Sequence, residues 1–239
     1  MPQIKFTANK DFRSYTEGDT RTIPLLDKEV TFIVGKNGSG KSTLLHCIRA
    51  AKHSLYDTNK KERDGMQSND DILFKDGGFC SIEGLDIFDN VFVLDSVDDD
   101  PLSFINSATG TSYINGGGIQ VSRMSKGQKS MSMLARFIHK IEDVCDFNIH
   151  KYDAGEKCPT RNLVIFDEVD EGLDIGTQKK FAVILKNLSA LFNASTICVT
   201  HNAMLPMMYG GKDAFVYDII GDKELKISEY IKNETELEL

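Results

Sequence analysis

No apolar run in this 239-residue chain approaches the roughly 20 residues needed to cross a bilayer. Runs such as Val30–Val34 and 163–166 have the length of buried strands instead. The opening residues, MPQIKFTANKDF, lack the apolar core of a secretory signal. The cysteines (Cys47, Cys80, Cys145, Cys158 and Cys198) are odd in number, widely spaced and never form C-x-x-C. Three stand among apolar residues, where a free thiol behaves as a small hydrophobe. Neither a disulfide framework nor a cysteine metal site is expected, and the chain reads as cytoplasmic. No aromatic-basic stacking array announces single-strand nucleic acid binding. A net charge of −8 likewise withholds the basic footprint of a nucleic-acid-coating protein. What remains, 41% hydrophobic and 27% charged residues, is the profile of an ordinary globular chain with ample core.

Acidic residues are missing from one long stretch. Glu83, Asp86, Asp89, Asp95 and 98–100 form an acidic block, readable as a solvated surface. From Pro101 to Ile141 there is none, while Arg123, Lys126, Lys129, Arg136 and Lys140 accumulate.

Val30–Val34 leads directly into Gly35, Lys36, Asn37, Gly38, Ser39, Gly40, Lys41 and Ser42, followed by Thr43. This is G-x-x-x-x-G-K-[ST] in full. Leu44, Leu45, Ile48 and Leu55 continue it as an apolar stripe at helical spacing. The glycines let backbone N–H groups converge on phosphate oxygens, and the helix start adds unpaired donors and a positive dipole end. Lys41 is expected to reach the β- and γ-phosphates of ATP, and the Ser42 hydroxyl to coordinate Mg²⁺.

Residues 163–166 form a second apolar strand ending in Asp167 and Glu168. Adjacent carboxylates there are costly unless paired, hydrated or bound to metal. Asp167 is expected to ligate Mg²⁺ and Glu168 to orient the attacking water. The alternative is an acidic surface loop, since Asp170, Glu171 and Asp174 follow. A third strand, 196–200, ends at His201, whereas His46, His53, His139 and His150 read as ordinary surface or core residues. Strand C-termini gather where ligands bind in an open parallel sheet, which brings His201 near the γ-phosphate. Finally, Ser125, Lys126, Gly127 and Gln128 open a helix whose expected apolar face is Met131, Leu134, Ala135, Ile138 and Ile141. Ser125 with Gln128 is a capping box; equally, this acid-free helix start suits an anion.

Taken together these elements resemble the ABC-type ATPase superfamily. Residues 35–43 are similar to its Walker A, MSKGQ at 124–128 to its LSGGQ signature, and 163–168 to Walker B with the catalytic glutamate. Residues 171–174, EGLD, resemble the D-loop, and His201 the switch histidine. The opening at 11–15, DFRSY, then TIPL at 22–25, looks like soluble SMC, RecF and break-repair heads rather than transporter subunits. The resemblance implies an α/β P-loop fold with a mainly parallel core sheet, an antiparallel β part and a small helical signature lobe. It implies one domain over 1–239, with a core lobe at about 1–95 and 160–239 and a helical lobe at about 96–159. Lys41, Glu168 and His201 would be catalytic, residues 35–43 with Ser125, Gly127 and Gln128 would hold ATP, and Ser42 and Asp167 would hold Mg²⁺. Two chains would sandwich two ATP molecules as a closed twofold homodimer.

Three features depart from that pattern. Met124 and Lys126 replace the usual Leu and Gly of the signature, and Lys126 either touches phosphate or reaches solvent. The loop after 90–94 offers Asp95 and Ser96 in place of a glutamine. No heptads lie between Asp95 and Ser125, where SMC proteins insert a long coil, and Gly116, Gly117 and Gly118 fall in that interval. The expected function is Mg-ATP hydrolysis coupled to dimerisation in DNA repair, genome maintenance or anti-phage defence. The alternatives are an ATP-gated regulatory subunit of an effector protein and a transporter subunit. Duplex DNA is a candidate partner through Lys52, Lys60, Lys61 and Arg63.

Overall fold

The computed structural model describes residues 2–26, 29–56, 78–95 and 126–235. Segments 57–77 and 96–125 lie outside the described residues, and with them Lys60, Lys61, Arg63, Ser96, Gly116–Gly118, Met124 and Ser125.

Two sheets organise the chain. Strand β1 (Gln3–Ala8) lies between β2 (Thr20–Pro24) and β4 (Cys80–Glu83), antiparallel to both. The larger sheet contains β3 (Val30–Val34), β5 (Asn90–Asp95), β6 (Asn162–Asp167), β7 (Ala194–Val199), β8 (Phe215–Asp218) and β9 (Lys223–Lys226). Its order is β5-β6-β7-β3-β8-β9, parallel except for the antiparallel last pair. This is the expected mainly parallel core with an antiparallel part beside it. Strands β3, β6 and β7 are buried along their whole length, which explains why they read as unbroken apolar or β-branched runs rather than alternating ones.

Alternate side chains of these strands feed two cores. On one face Ile33, Leu163, Ile165, Ile197 and Val199 pack with α1 (Lys41–Tyr56) and the antiparallel sheet. On the other, Phe32, Val164, Phe166 and Cys198 pack with helices α2 (Lys126–Cys145) and α4 (Ile175–Leu191). The short helix α3 (Ile149–Asp153) lies between those two in sequence, and α5 (Met204–Gly210) and α6 (Ile227–Thr235) follow. Phe166 meets Phe137 edge-on at 5.7 Å and Phe181 at 5.5 Å, pairs that add about 0.5–1.5 kcal/mol each beyond area burial. The described part of the expected helical lobe therefore shares its hydrophobic cluster with β5, β6 and α4.

Two local expectations are corrected. Ala135 is exposed; Leu134 and Ile141 are buried and Met131 and Ile138 pack partly buried on the same cluster as expected, but the apolar face of α2 also takes in Met133, Phe137 and Cys145, with the Phe137 ring against Phe92 of β5 and Phe166 of β6. The third strand ends at Val199, not Thr200: the Thr200 N–H still bonds the Ile33 carbonyl of β3 at 3.2 Å, but its hydroxyl is already engaged by Asp170 and the Asn202 N–H as the loop begins. All five cysteines are free and buried.

Candidate nucleotide site

Because β6, β7 and β3 are neighbours, the loops leaving their C-terminal ends emerge side by side. Residues 35–40, 168–174 and 200–202 therefore share one edge of the sheet, at the position where open α/β sheets bind ligands.

The first of these loops is braced from outside. Residues 12–15 form a tight turn in which Phe12 and Tyr15 exchange backbone hydrogen bonds of 2.8 and 3.0 Å. From it the Ser14 hydroxyl donates to the Gly38 carbonyl at 2.7 Å, and the buried Tyr15 hydroxyl donates to the Gly40 carbonyl at 3.0 Å. Gly40 has φ +94°, and a Cβ there would stand 2.7 Å from the Tyr15 ring. Gly40→Ala is consequently expected to displace the loop or the ring at a cost of about 1–3 kcal/mol, weakening ATP binding roughly tenfold or more. Titration with a fluorescent ATP analogue checks this; unchanged affinity would mean the loop conformation does not matter to the ligand.

At Gly35, likewise, a Cβ would fall 2.7 Å from Ile219 Cγ2 and 2.9 Å from Ser39 Oγ. The Ser39 hydroxyl is buried and has no hydrogen-bond partner among the described residues. An orphaned donor inside a glycine-lined cradle is a fit for phosphate oxygens. The start of α1 follows, with the Leu44 N–H reaching the Gly40 carbonyl at 2.9 Å. Lys41, 4% exposed, donates to the carbonyls of Gly35 at 2.9 Å and Lys36 at 3.1 Å. Burial pushes its ammonium pKa down, while Glu168 and Asp167 oppose that shift by holding the charged form. Lys36 and Asn37 are exposed, and Lys36 pairs with Glu234 of α6 at 3.6 Å. Thr43 is buried.

Across the gap to β6, the Ser42 hydroxyl lies 3.4 Å from Asp167 Oδ1. A hydroxyl beside a carboxylate is a donor set for Mg²⁺, which takes few protein ligands and completes its shell with water and substrate phosphates. Glu168 comes next, in a left-handed backbone conformation (φ 54°) that non-glycine residues rarely adopt. The Glu168 N–H donates to the Val199 carbonyl at 3.1 Å, and its carboxylate Oε1 sits 2.6 Å from His201 Nε2. Thus Lys41, Ser42, Asp167, Glu168 and His201 are brought to one edge.

Ser125 lies outside the described residues, and Gly127 faces Leu173 and Gly172 of the turn at 171–174. Asp174 of that turn caps α4, accepting from the Thr177 N–H at 2.9 Å and the Thr177 hydroxyl at 2.8 Å. The side chain of Asp95 also lies outside the described residues; its backbone is in register with Asp167.

Residues 10–86 match a family model described as an AAA domain. A curated relative, the phosphonates import ATP-binding protein PhnC of Fusobacterium nucleatum, is 22% identical over 77% of this chain and 76% of its own length. A solved metal-chelate type ABC transporter in an inward-facing conformation matches 100% of this chain and 90% of its own, at 16% identity and a TM-score of 0.52. The SMC head domain of Thermotoga maritima matches 88% of this chain and 93% of its own, at 19% identity and a TM-score of 0.49. At 16% identity, the likeness to the transporter structure speaks to fold alone. The chain has the ABC-type ATPase fold.

Within this ABC-type fold, several site features had no sequence signal, or one that pointed elsewhere. The Ser14 and Tyr15 brace links segments 24 and 25 residues apart, with no local pattern to announce it. Asp170 reads as part of an acidic surface loop, yet it is 3% exposed and accepts a hydrogen bond from Thr200. Glu171 and Asp174 are exposed, as that reading expects. Among the other histidines, His139 is an exposed partner of Glu142 at 2.8 Å and His150 is exposed, both ordinary surface residues.

Proposed function

We propose that this chain binds Mg-ATP on residues 35–43, hydrolyses it with Glu168 and His201 at the attacking water, and closes head to tail with a second copy. The observation that carries this reading is the meeting of Lys41, the Ser42–Asp167 pair and the Glu168–His201 pair at the C-terminal ends of three adjacent strands. Lys41 supplies charge to the phosphates, and Glu168 supplies a proton acceptor. When bound between Ser42, Asp167 and phosphate, Mg²⁺ would neutralise charge on the transferring group. Gly127 packs on the turn at 171–174, so this part of the signature and the D-loop segment would meet a second chain side by side.

Among ABC-type proteins, the reading favoured here is a soluble SMC/RecF-like head working in DNA repair, genome maintenance or anti-phage defence. The FRSY opening supports it, since Ser14 and Tyr15 reach the phosphate loop directly, as does Val169 where transporter subunits usually carry proline. The name of the phosphonate-import relative supports the second reading, a transporter subunit. No described helix is long and apolar enough to cross a membrane, so in that role the described residues would supply the ATP-binding part.

Sedimentation of the whole chain with and without Mg-ATP tests the assembly: mass is expected to double with nucleotide. A mass independent of ATP would mean a constitutive assembly or a monomer. The same ATP-bound form is expected to bind duplex DNA, with log K falling by ~0.9 per phosphate neutralised as log salt rises. Charge reversal at Lys60, Lys61 and Arg63 should flatten that slope. If no DNA binding appears at low salt, the ATP-gated effector subunit becomes the better account.

A further inference from the structure

Strand β7 ends at Val199, and the next residue, Thr200, is fully buried. Its hydroxyl works in both directions. It donates to Asp170 Oδ2 at 2.7 Å and accepts from the Asn202 N–H at 2.8 Å. His201 lies between the two residues so joined. On the other side, Asp170 follows Glu168 by two residues, and the Glu168 N–H is tied to the Val199 carbonyl at 3.1 Å. The chain therefore closes a ring: from Val199 through Thr200 to Asp170, back along the backbone to Glu168, and across to Val199 again. The His201–Glu168 contact of 2.6 Å sits on its open side.

Several costs are concentrated in this ring. Burial pushes the Asp170 carboxyl pKa up, and the Thr200 hydrogen bond partly offsets that shift. Glu168 holds a left-handed φ of 54°, a conformation that costs of order 1–3 kcal/mol and persists only where its surroundings over-determine it. A buried carboxylate whose hydrogen bond to Thr200 ties one catalytic loop to the other has positioning as its evident use.

We propose that Thr200 and Asp170 are a positioning pair, whose hydrogen bond holds His201 and Glu168 at the separation the hydrolytic step needs. The pair acts through those two residues and leaves the nucleotide contacts of Lys41 and Ser42 alone. This rests on the ATPase reading above.

The test is steady-state ATP hydrolysis by the full chain. Thr200→Val keeps the shape and removes the hydroxyl; kcat is expected to fall about a hundredfold, the scale of a 1 Å misplacement, with KM little changed. Thr200→Ser, which restores the hydroxyl, should recover most of the rate. In a double-mutant cycle Thr200→Val with Asp170→Ala should be no slower than either single variant, because both remove one bond. If Thr200→Val does not fold, Asp170→Ala breaks the same bond from its other end and must show the same split, with ATP affinity as the check on folding. Losses that multiply, a KM rise at constant kcat, or wild-type turnover in folded variants would each overturn the positioning role. A wild-type chain that binds ATP without any turnover overturns the parent reading, and this one with it.

Discussion

Lys41→Ala is expected to abolish ATP binding at millimolar nucleotide. Truncating one member of a buried, hydrogen-bonded charge pair costs about 2–5 kcal/mol, which is roughly 30- to 5,000-fold in affinity. Lys41 belongs at the upper end because the phosphate would be left facing Asp167 and Glu168, the two carboxylates that already act on the Lys41 ammonium. The same substitution removes the bonds to the Gly35 and Lys36 carbonyls, so the loop loses an internal tie as well as its charge. Lys41→Arg separates the two effects, since the larger guanidinium keeps the charge but does not match the compact ammonium's place between those carbonyls. Isothermal titration with ATP measures both variants. Near-normal affinity in Lys41→Ala would sink the assignment of residues 35–43 as the phosphate loop.

The fold was legible wherever one stretch of chain carried its own pattern. The run 30–34 followed by the glycine loop and the helical stripe at Leu44, Leu45 and Ile48 needs nothing from elsewhere to be read, and β3, the loop and α1 follow in that order. The apolar run before Asp167 is equally local, as is its burial on both faces. Errors begin where the deciding partner is distant. Thr200 is β-branched and follows a strand, so it reads as strand, and its N–H does bond a carbonyl on β3; what turns the chain out of β7 there is the hydroxyl's engagement with Asp170 and the Asn202 N–H. Asp170 in turn reads as solvent-exposed because nothing nearby in sequence reports the threonine 30 residues away that pairs with it. Ala135 fits a helical stripe as well as Phe137 does, and only the rings of Phe92 and Phe166 decide which of the two faces inward. The left-handed Glu168 is a further case. Side-chain type gave no notice of it, since glutamate seldom adopts that conformation and here the backbone bond to Val199 accompanies it.

Glu168→Gln is expected to keep ATP while slowing hydrolysis by roughly 10²- to 10⁴-fold, the range for losing a positioned acid–base group. Glutamine reproduces the shape of glutamate, so the left-handed backbone and the tie to the Val199 carbonyl should survive. What changes is the side-chain oxygen facing His201 at 2.6 Å, which loses its charge and its capacity to take a proton from water. The groups facing phosphate and metal, Lys41 with the Ser42–Asp167 pair, are not altered, so affinity for Mg-ATP should remain within a few fold of wild type. Slower turnover at unchanged affinity prolongs the ATP-bound form, and any assembly that depends on it should accumulate. Single-turnover hydrolysis measures the chemical step, and sedimentation of the same sample measures the assembly. The two readouts part company under the alternatives. Unchanged turnover would move the general base to another carboxylate, Asp95 being the one whose backbone pairs in register with Asp167. Slowed turnover with no ATP-dependent increase in mass would retain the catalytic role of Glu168 but discard head-to-tail closure as its consequence.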